Sequence, residues 1–396
     1  MKLLYMDWDH LGKEDLEDNL KGLGHELIFF SLPEEARDIS ISDEWIEKIK
    51  KELDREKIDL IFSVGYFPTV SEAAEEKGCR YISWIYYGWD FNIYAANIIN
   101  EVNKICVCDL CLYEELKGQG ISTIHHVPFA VNTERYKQVR LTAEEQNKYG
   151  TTVSYIDCMN GKQDSSFGEN PIFEQMMSYF DEKDEYTGGY IEGLLEAQMQ
   201  LYGCDILPEN LTEELMGKII TAKSLPANRY GKYITDKKAY IDDIFGRYMA
   251  AKEQTRLLES ISEFFETYLY TNDTKRSIGK CVNQGKLDLV RDMPKVVRAS
   301  KINLCIPQRS IRTGIPYLAM NIMGAGGFLL TYYQAEFFNY FEADVDFAFY
   351  TDKDELLDKI QFFAANDADR EQIAQNAFDR VAADHTLGKR LEGLLK

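Results

Sequence analysis

Residues 301–331 read Lys301-Ile-Asn-Leu-Cys-Ile-Pro-Gln-Arg-Ser-Ile-Arg-Thr-Gly-Ile-Pro-Tyr-Leu-Ala-Met-Asn-Ile-Met-Gly-Ala-Gly-Gly-Phe-Leu-Leu-Thr331. The apolar run at 302–306 predicts a buried strand, and the loop after it carries Arg309, Arg312, Thr313 and Gly314. Pro316 then predicts the first turn of a helix, where its preset φ fits and its missing N–H would be unpaired anyway. A glycine turn at 324–327 leads into a second buried strand at 328–330. Free amides in a first helical turn, with the positive end of the helix dipole, favour an anion. Guanidinium forks at 309 and 312 suit phosphate oxygens. The pattern fits a nucleotide diphosphate, and equally an ordinary strand–helix unit whose arginines face water.

Those residues resemble the C-terminal region of the CgeB-type, spore-maturation family of GT-B glycosyltransferases. The likeness extends to Tyr333-Gln-Ala-Glu336, Asp384-His-Thr386, Asp292-Met-Pro294 and Tyr190-Ile-Glu-Gly-Leu-Leu-Glu-Ala-Gln198. Towards the front it includes Phe62-Ser-Val-Gly-Tyr-Phe-Pro68, Ser83-Trp84 and Val127-Pro-Phe-Ala-Val-Asn132. The resemblance implies two doubly wound Rossmann-like domains facing a cleft. It also implies sugar transfer from a nucleotide donor to a protein or glycan, with no obligatory cofactor or metal.

Composition sets outer bounds. A chain of 396 residues suffices for two cores. Its formal charge of −21 argues against nucleic acid or an anionic membrane as partner. No apolar stretch approaches the roughly 20 residues that span a bilayer. The opening Met1-Lys-Leu-Leu-Tyr-Met-Asp-Trp-Asp9 turns acidic too early for a signal peptide, so a cytoplasmic location is expected. Cys106, Cys108 and Cys111 have a spacing that suits either buried core thiols or a metal cluster, and the apolar run around them favours the core.

Along the chain, short apolar runs alternate with helical periodicity, which predicts a parallel sheet with ligands beyond its strand tips. Expected units are an N-terminal acceptor-side domain at 1–135 and a C-terminal nucleotide-sugar domain at 150–380. A helical insertion is expected at about 170–267. A last helix at 381–396 is expected to return to the first domain.

The donor-side candidates are Arg309, Arg312, Thr313, Gly314, Lys275, Asp292 and Asn321. Asp292 reads as a base or ribose contact, or as a helix N-cap. Asn321 stands where the family carries an acid, so a charge is lost. On the acceptor side the candidates are Tyr66, Tyr87 and His126. Tyr87 replaces a family Asp, leaving Asp90 as the nearest general base, while Asp157 replaces a Gly at the next strand tip and is the other candidate. These departures point to a homologue that binds sugar nucleotide, glycan or a partner glycosyltransferase without turnover, whereas the retained Arg312, Gly314 and Gly324-Ala-Gly-Gly327 turn favour an active transferase. A homo-oligomer is compatible with both.

Overall fold

The computed structural model describes residues 1–86, 90–157, 171–201, 205–225 and 232–396. The first sheet holds β1 (Lys2–Asp7), β2 (Glu26–Ser31), β3 (Leu60–Val64), β4 (Arg80–Ile85), β5 (Asn103–Val107) and β6 (Ile124–His126). Their order is β2-β1-β3-β4-β5-β6, and every pairing is parallel. The second sheet holds β7 (Val153–Ile156), β8 (Thr267–Tyr270), β9 (Val282–Gly285), β10 (Ile302–Cys305), β11 (Leu329–Tyr332) and β12 (Ala348–Tyr350). It runs β12-β11-β10-β7-β8-β9, again all parallel.

Parallel sheets are covered on both faces, so their strands must be apolar throughout. Leu60-Ile-Phe-Ser-Val64 is buried at every position. Its one polar side chain, Ser63, donates to the Gly65 carbonyl at 2.6 Å and meets the Tyr81 hydroxyl at 2.8 Å. Strand order reverses between β1 and β3 in one sheet and between β7 and β10 in the other, where a crevice opens beyond the strand tips.

The connection from β7 to β8 carries the helices Pro171–Lys183, Glu185–Gln200, Leu207–Asn210, Glu213–Ala222, Asp236–Ala239 and Gly246–Ser262. These helices own a separate core around Phe173, Phe180, Leu195, Tyr240 and Phe245. A wide π-type turn at Tyr240–Phe245 interrupts the last long stretch. Two short helices, Thr133–Lys137 and Ala143–Tyr149, occupy the polar segment between the sheets. Thr142 and Glu145 form a capping box there, a local signal the polar composition masked. Helix Tyr317–Gly324 starts one residue later than expected, with Pro316 extended at its N-cap. Cys106 and Cys108 lie in the core, where burial pushes the Cys106 thiol up to about 12.

The domains share one apolar cluster, running from Leu16, Trp84 and Val131 to Ile322, Val381 and Leu391. The final helix Leu387–Leu395 packs on Lys13–Gly22 of the first domain. Val131 bridges this return by donating to the His385 carbonyl at 3.0 Å and accepting from the Leu387 amide at 3.0 Å. Gly324 permits the approach, because a Cβ there would stand 2.6 Å from Val131 Cγ2. Gly324→Ala is therefore expected to lower the stability by about 1–3 kcal/mol, read as a shifted midpoint in urea unfolding. An unchanged midpoint would show that this contact yields freely.

Candidate functional site

Helix Leu110–Gly118 follows β5, and Asp109 caps it by accepting from the Leu112 amide at 2.8 Å. The other carboxylate oxygen of Asp109 crosses to the second domain. It accepts from the Thr313 amide at 2.8 Å and the Gly314 amide at 3.0 Å. Glu336, from the second domain, answers in the opposite direction. One of its oxygens accepts from the Leu110 amide at 2.6 Å and from the Thr313 hydroxyl at 2.9 Å. Its other oxygen lies 2.8 Å from His126 Nε2. The Thr313 hydroxyl in turn accepts from the Cys111 amide at 3.2 Å. Three first-turn amides of one helix are thus satisfied, two of them by the facing domain, and both carboxylates sit at the positive end of its dipole.

This corrects the expectation of open amides at Thr313 and Gly314. An anion is present there, but it is the chain's own Asp109, 4% exposed. Gly314 also has a different use from the one expected. A Cβ at that position would lie 2.8 Å from the Cys108 carbonyl, so its missing side chain lets two backbones meet across the domain boundary.

The arginines are engaged as well. Arg312 donates to Glu115 at 2.7 Å, and Glu115 also pairs with Lys238 at 3.2 Å. Arg309 forks onto both oxygens of Glu253, with the Nε bond at 2.8 Å. Arg309, Arg312 and Asp90 border one cavity of about 60 Å³ with Tyr94, Asp109 and Asp242. Asp90 accepts from the Tyr66 amide and the Asn92 amide, both at 3.1 Å. Enclosure by the surrounding protein pushes its carboxyl up to about 6, against those two bonds that pull it down. A carboxylate so tuned suits proton abstraction near neutral pH.

The remaining sequence candidates lie elsewhere. Tyr66 is not an acceptor contact: its ring is fully buried and its hydroxyl donates to Asn97 at 3.0 Å. Tyr87 lies outside the described residues. Asp157 is buried at the tip of β7 and accepts from the Thr271 hydroxyl at 3.0 Å. Asn321 is buried, accepts from the Tyr136 hydroxyl, and donates to the Tyr317 carbonyl at 2.8 Å. Asp292 forms no side-chain cap and stands 3.6 Å from Lys295. Lys275 is exposed on the loop after β8.

Sequence reasoning missed Asp109, although Cys-Asp before a helix after β5 is an N-cap signal. It also missed an aromatic wedge. Phe129 stands 4.7 Å from both Tyr86 and Tyr317, centroid to centroid, at the mouth of the first domain's crevice. The wedge leaves about 10 Å³ beside Gly12 and Asn321, room for one water. A much larger space, about 870 Å³, opens between the helical insertion and the tips of β10, β11 and β12.

Comparison with solved structures places this architecture. A glycosyltransferase from Rickettsia africae is 11% identical, with a TM-score of 0.53 over 100% of this chain and 96% of that one. Sucrose-phosphate synthase from Thermosynechococcus elongatus is 10% identical, with a TM-score of 0.54 over 100% and 98%. The fold is GT-B. HepE from Anabaena, solved with UDP-glucose, is 9% identical, with a TM-score of 0.52 over 100% and 98%. Residues 249–396 match the family described as glycosyl transferase-like. No curated protein matches the chain.

Asp90 yields a pH prediction. Its folded pKa lies above the ordinary carboxylate value, so the folded form binds the extra proton between about pH 4 and 6. Stability from this group is greatest below pH 4 and falls as pH rises through 6. Asp90→Asn loses one of the two amide bonds at every pH, but its stability relative to the wild type should rise by about 2 kcal/mol between pH 4 and pH 8, measured by denaturant titration. Parallel stability curves across that range would refute the buried-charge account.

Proposed function

We propose that this protein is a glycosyltransferase that moves a sugar from a nucleoside-diphosphate donor onto a protein or glycan. What carries the reading is the GT-B pair of sheets together with the glycosyl transferase-like match over 249–396, which includes the whole loop between β10 and helix Tyr317–Gly324. HepE's complexes with UDP and with UDP-glucose favour a uridine-type donor. The CgeB-type resemblance of residues 301–331 points the same way, and a cytoplasmic site of action accords with it.

In this reading the Thr313 and Gly314 amides receive the donor's diphosphate once Asp109 withdraws. They and Arg312 then neutralise the charge that develops on the leaving group, as preorganised donors do. Asp90 takes the proton from the acceptor hydroxyl. Because Asp109 already supplies an anion, donor and carboxylate compete for the same two N–H groups.

One observation favours a second reading. The Asp109 carboxylate, the Tyr136–Asn321 bond and the aromatic wedge together occupy the ground where a donor would lie. A GT-B protein that binds a glycan, a sugar nucleotide or a partner glycosyltransferase without turnover would tolerate that.

Titration calorimetry with UDP and UDP-glucose, followed by donor hydrolysis, separates the two. Asp109→Asn keeps the helix cap while removing the competing charge, and should tighten UDP binding at least about fivefold, roughly 1 kcal/mol. Arg312→Ala should weaken it by a similar factor. If neither variant changes UDP affinity, the phosphate assignment fails. UDP binding without hydrolysis or transfer to any acceptor would favour the second reading.

A further inference from the structure

The 870 Å³ space lies where the insertion, most of which packs around its own core, meets the tips of the second sheet, with helix Gly246–Ser262 contributing to both cores. Such a space is an opening between packed bodies and not a flaw within one core. Its size is that of a pocket for a small ligand. One wall comes from the insertion, through Leu201, Asp205, Ile241, Met249 and Leu257. The opposite wall is the loop at 306–312 and the tips of β11 and β12, with Tyr332 and Tyr350. The π-type turn Tyr240–Phe245 falls on this wall at Ile241 and Asp242, and such turns recur at functional sites.

Charge decides the class of ligand. Five lining carboxylates (Asp205, Asp242, Glu253, Asp352 and Asp354) face four lining cations (Arg256, Arg309, Arg312 and Lys353). All three guanidinium groups are already held. Arg309 is bound by Glu253, Arg312 by Glu115 at 2.7 Å, and Arg256 by Glu196 through two bonds at 2.7 and 2.8 Å. A diphosphate entering here would meet a net negative lining whose guanidinium groups are all taken, leaving it only the exposed Lys353 at the rim. A neutral polyhydroxylated ligand meets the opposite situation. Carboxylates accept from its hydroxyls, the unpartnered side-chain carbonyl oxygens of Gln308 and Gln334 add further acceptors, and the apolar side chains cover its C–H faces.

We infer that this cavity is a binding site for a neutral oligosaccharide, serving as the acceptor subsite of the transfer reaction proposed above. The inference rests on that reading for the word acceptor, but its binding claim stands on the cavity alone. The Arg309–Arg312 loop lines both this cavity and the small one that Asp90 borders, and so stands between them. An acceptor seated there would present one end across that loop towards Asp90.

The test is saturation-transfer NMR and calorimetry on the full chain with neutral gluco-, manno- and N-acetylglucosamine di- to tetrasaccharides, and separately with UDP. Leu257→Trp fills the cavity from a half-buried position, and Asp205→Asn removes an exposed hydroxyl acceptor without disturbing its turn. At least one oligosaccharide series should bind, with a tenfold or greater loss of affinity in Leu257→Trp, a smaller loss in Asp205→Asn, and UDP affinity unchanged in both. Thermal unfolding establishes that each variant is folded. No oligosaccharide binding, or binding that both folded variants retain, overturns the inference even if UDP still binds. Displacement of the oligosaccharide by UDP with equal sensitivity to Leu257→Trp would make the cavity the nucleotide site and overturn the neutral-ligand assignment. Loss of UDP binding alone would sink the donor reading and leave the oligosaccharide site standing.

Discussion

The exchange of carboxylates between Asp109 and Glu336 governs how the two halves of this protein meet. Each acid belongs to one domain and meets groups of the other: Asp109 the Thr313 and Gly314 amides, Glu336 the Leu110 amide and the His126 ring. Buried carboxylates are costly unless every lone pair finds a donor, and here the donors are amides that would themselves be orphaned at a helix start or a loop bend. Separating the domains strands both sets at once, unless water or a ligand takes their place. That reciprocity adds directional bonds to the register that the close-packed apolar cluster behind it already sets. The ion pairs of Glu115 with Arg312 and with Lys238 extend the same contact into the insertion.

In the proposed transfer reaction, the donor has to replace Asp109. The amides it occupies would suit a phosphate equally well, since both present oxyanions to paired N–H groups. A closed resting state held by an internal anion, displaced by a stronger external one, needs no new machinery beyond this exchange. The aromatic wedge of Tyr86, Phe129 and Tyr317 is a different obstacle, because rings must rotate or the domains must part before anything larger than water enters there.

Fold class was legible because it depends on local pattern. Buried runs such as Leu60–Val64 and Ile302–Cys305, alternating with amphipathic helices, leave few architectures besides paired parallel sheets. Site geometry was far less legible. Arg312 pairs with Glu115, while the amides of Thr313 and Gly314 hold a carboxylate of the chain's own. Nothing nearby in sequence reveals that Asp109, two hundred residues earlier, supplies it. Tyr66 misled because a strand tip was taken as exposed, whereas its hydroxyl is drawn inward by Asn97 and Asn103. Asn321 was read through a missing charge, but its partner is Tyr136, reached only when the segment between the sheets folds back. In each case the deciding contact is long-range, and the residue type alone permits several partners.

The polypeptide crosses between the halves twice, and Val131 and Leu387 tie those crossings side by side. Two parallel strands of covalent chain, stitched by backbone bonds, resist shear and stretching but bend readily. If the lobes were to part, this seam is where the chain would keep them joined, away from the Asp109 corner.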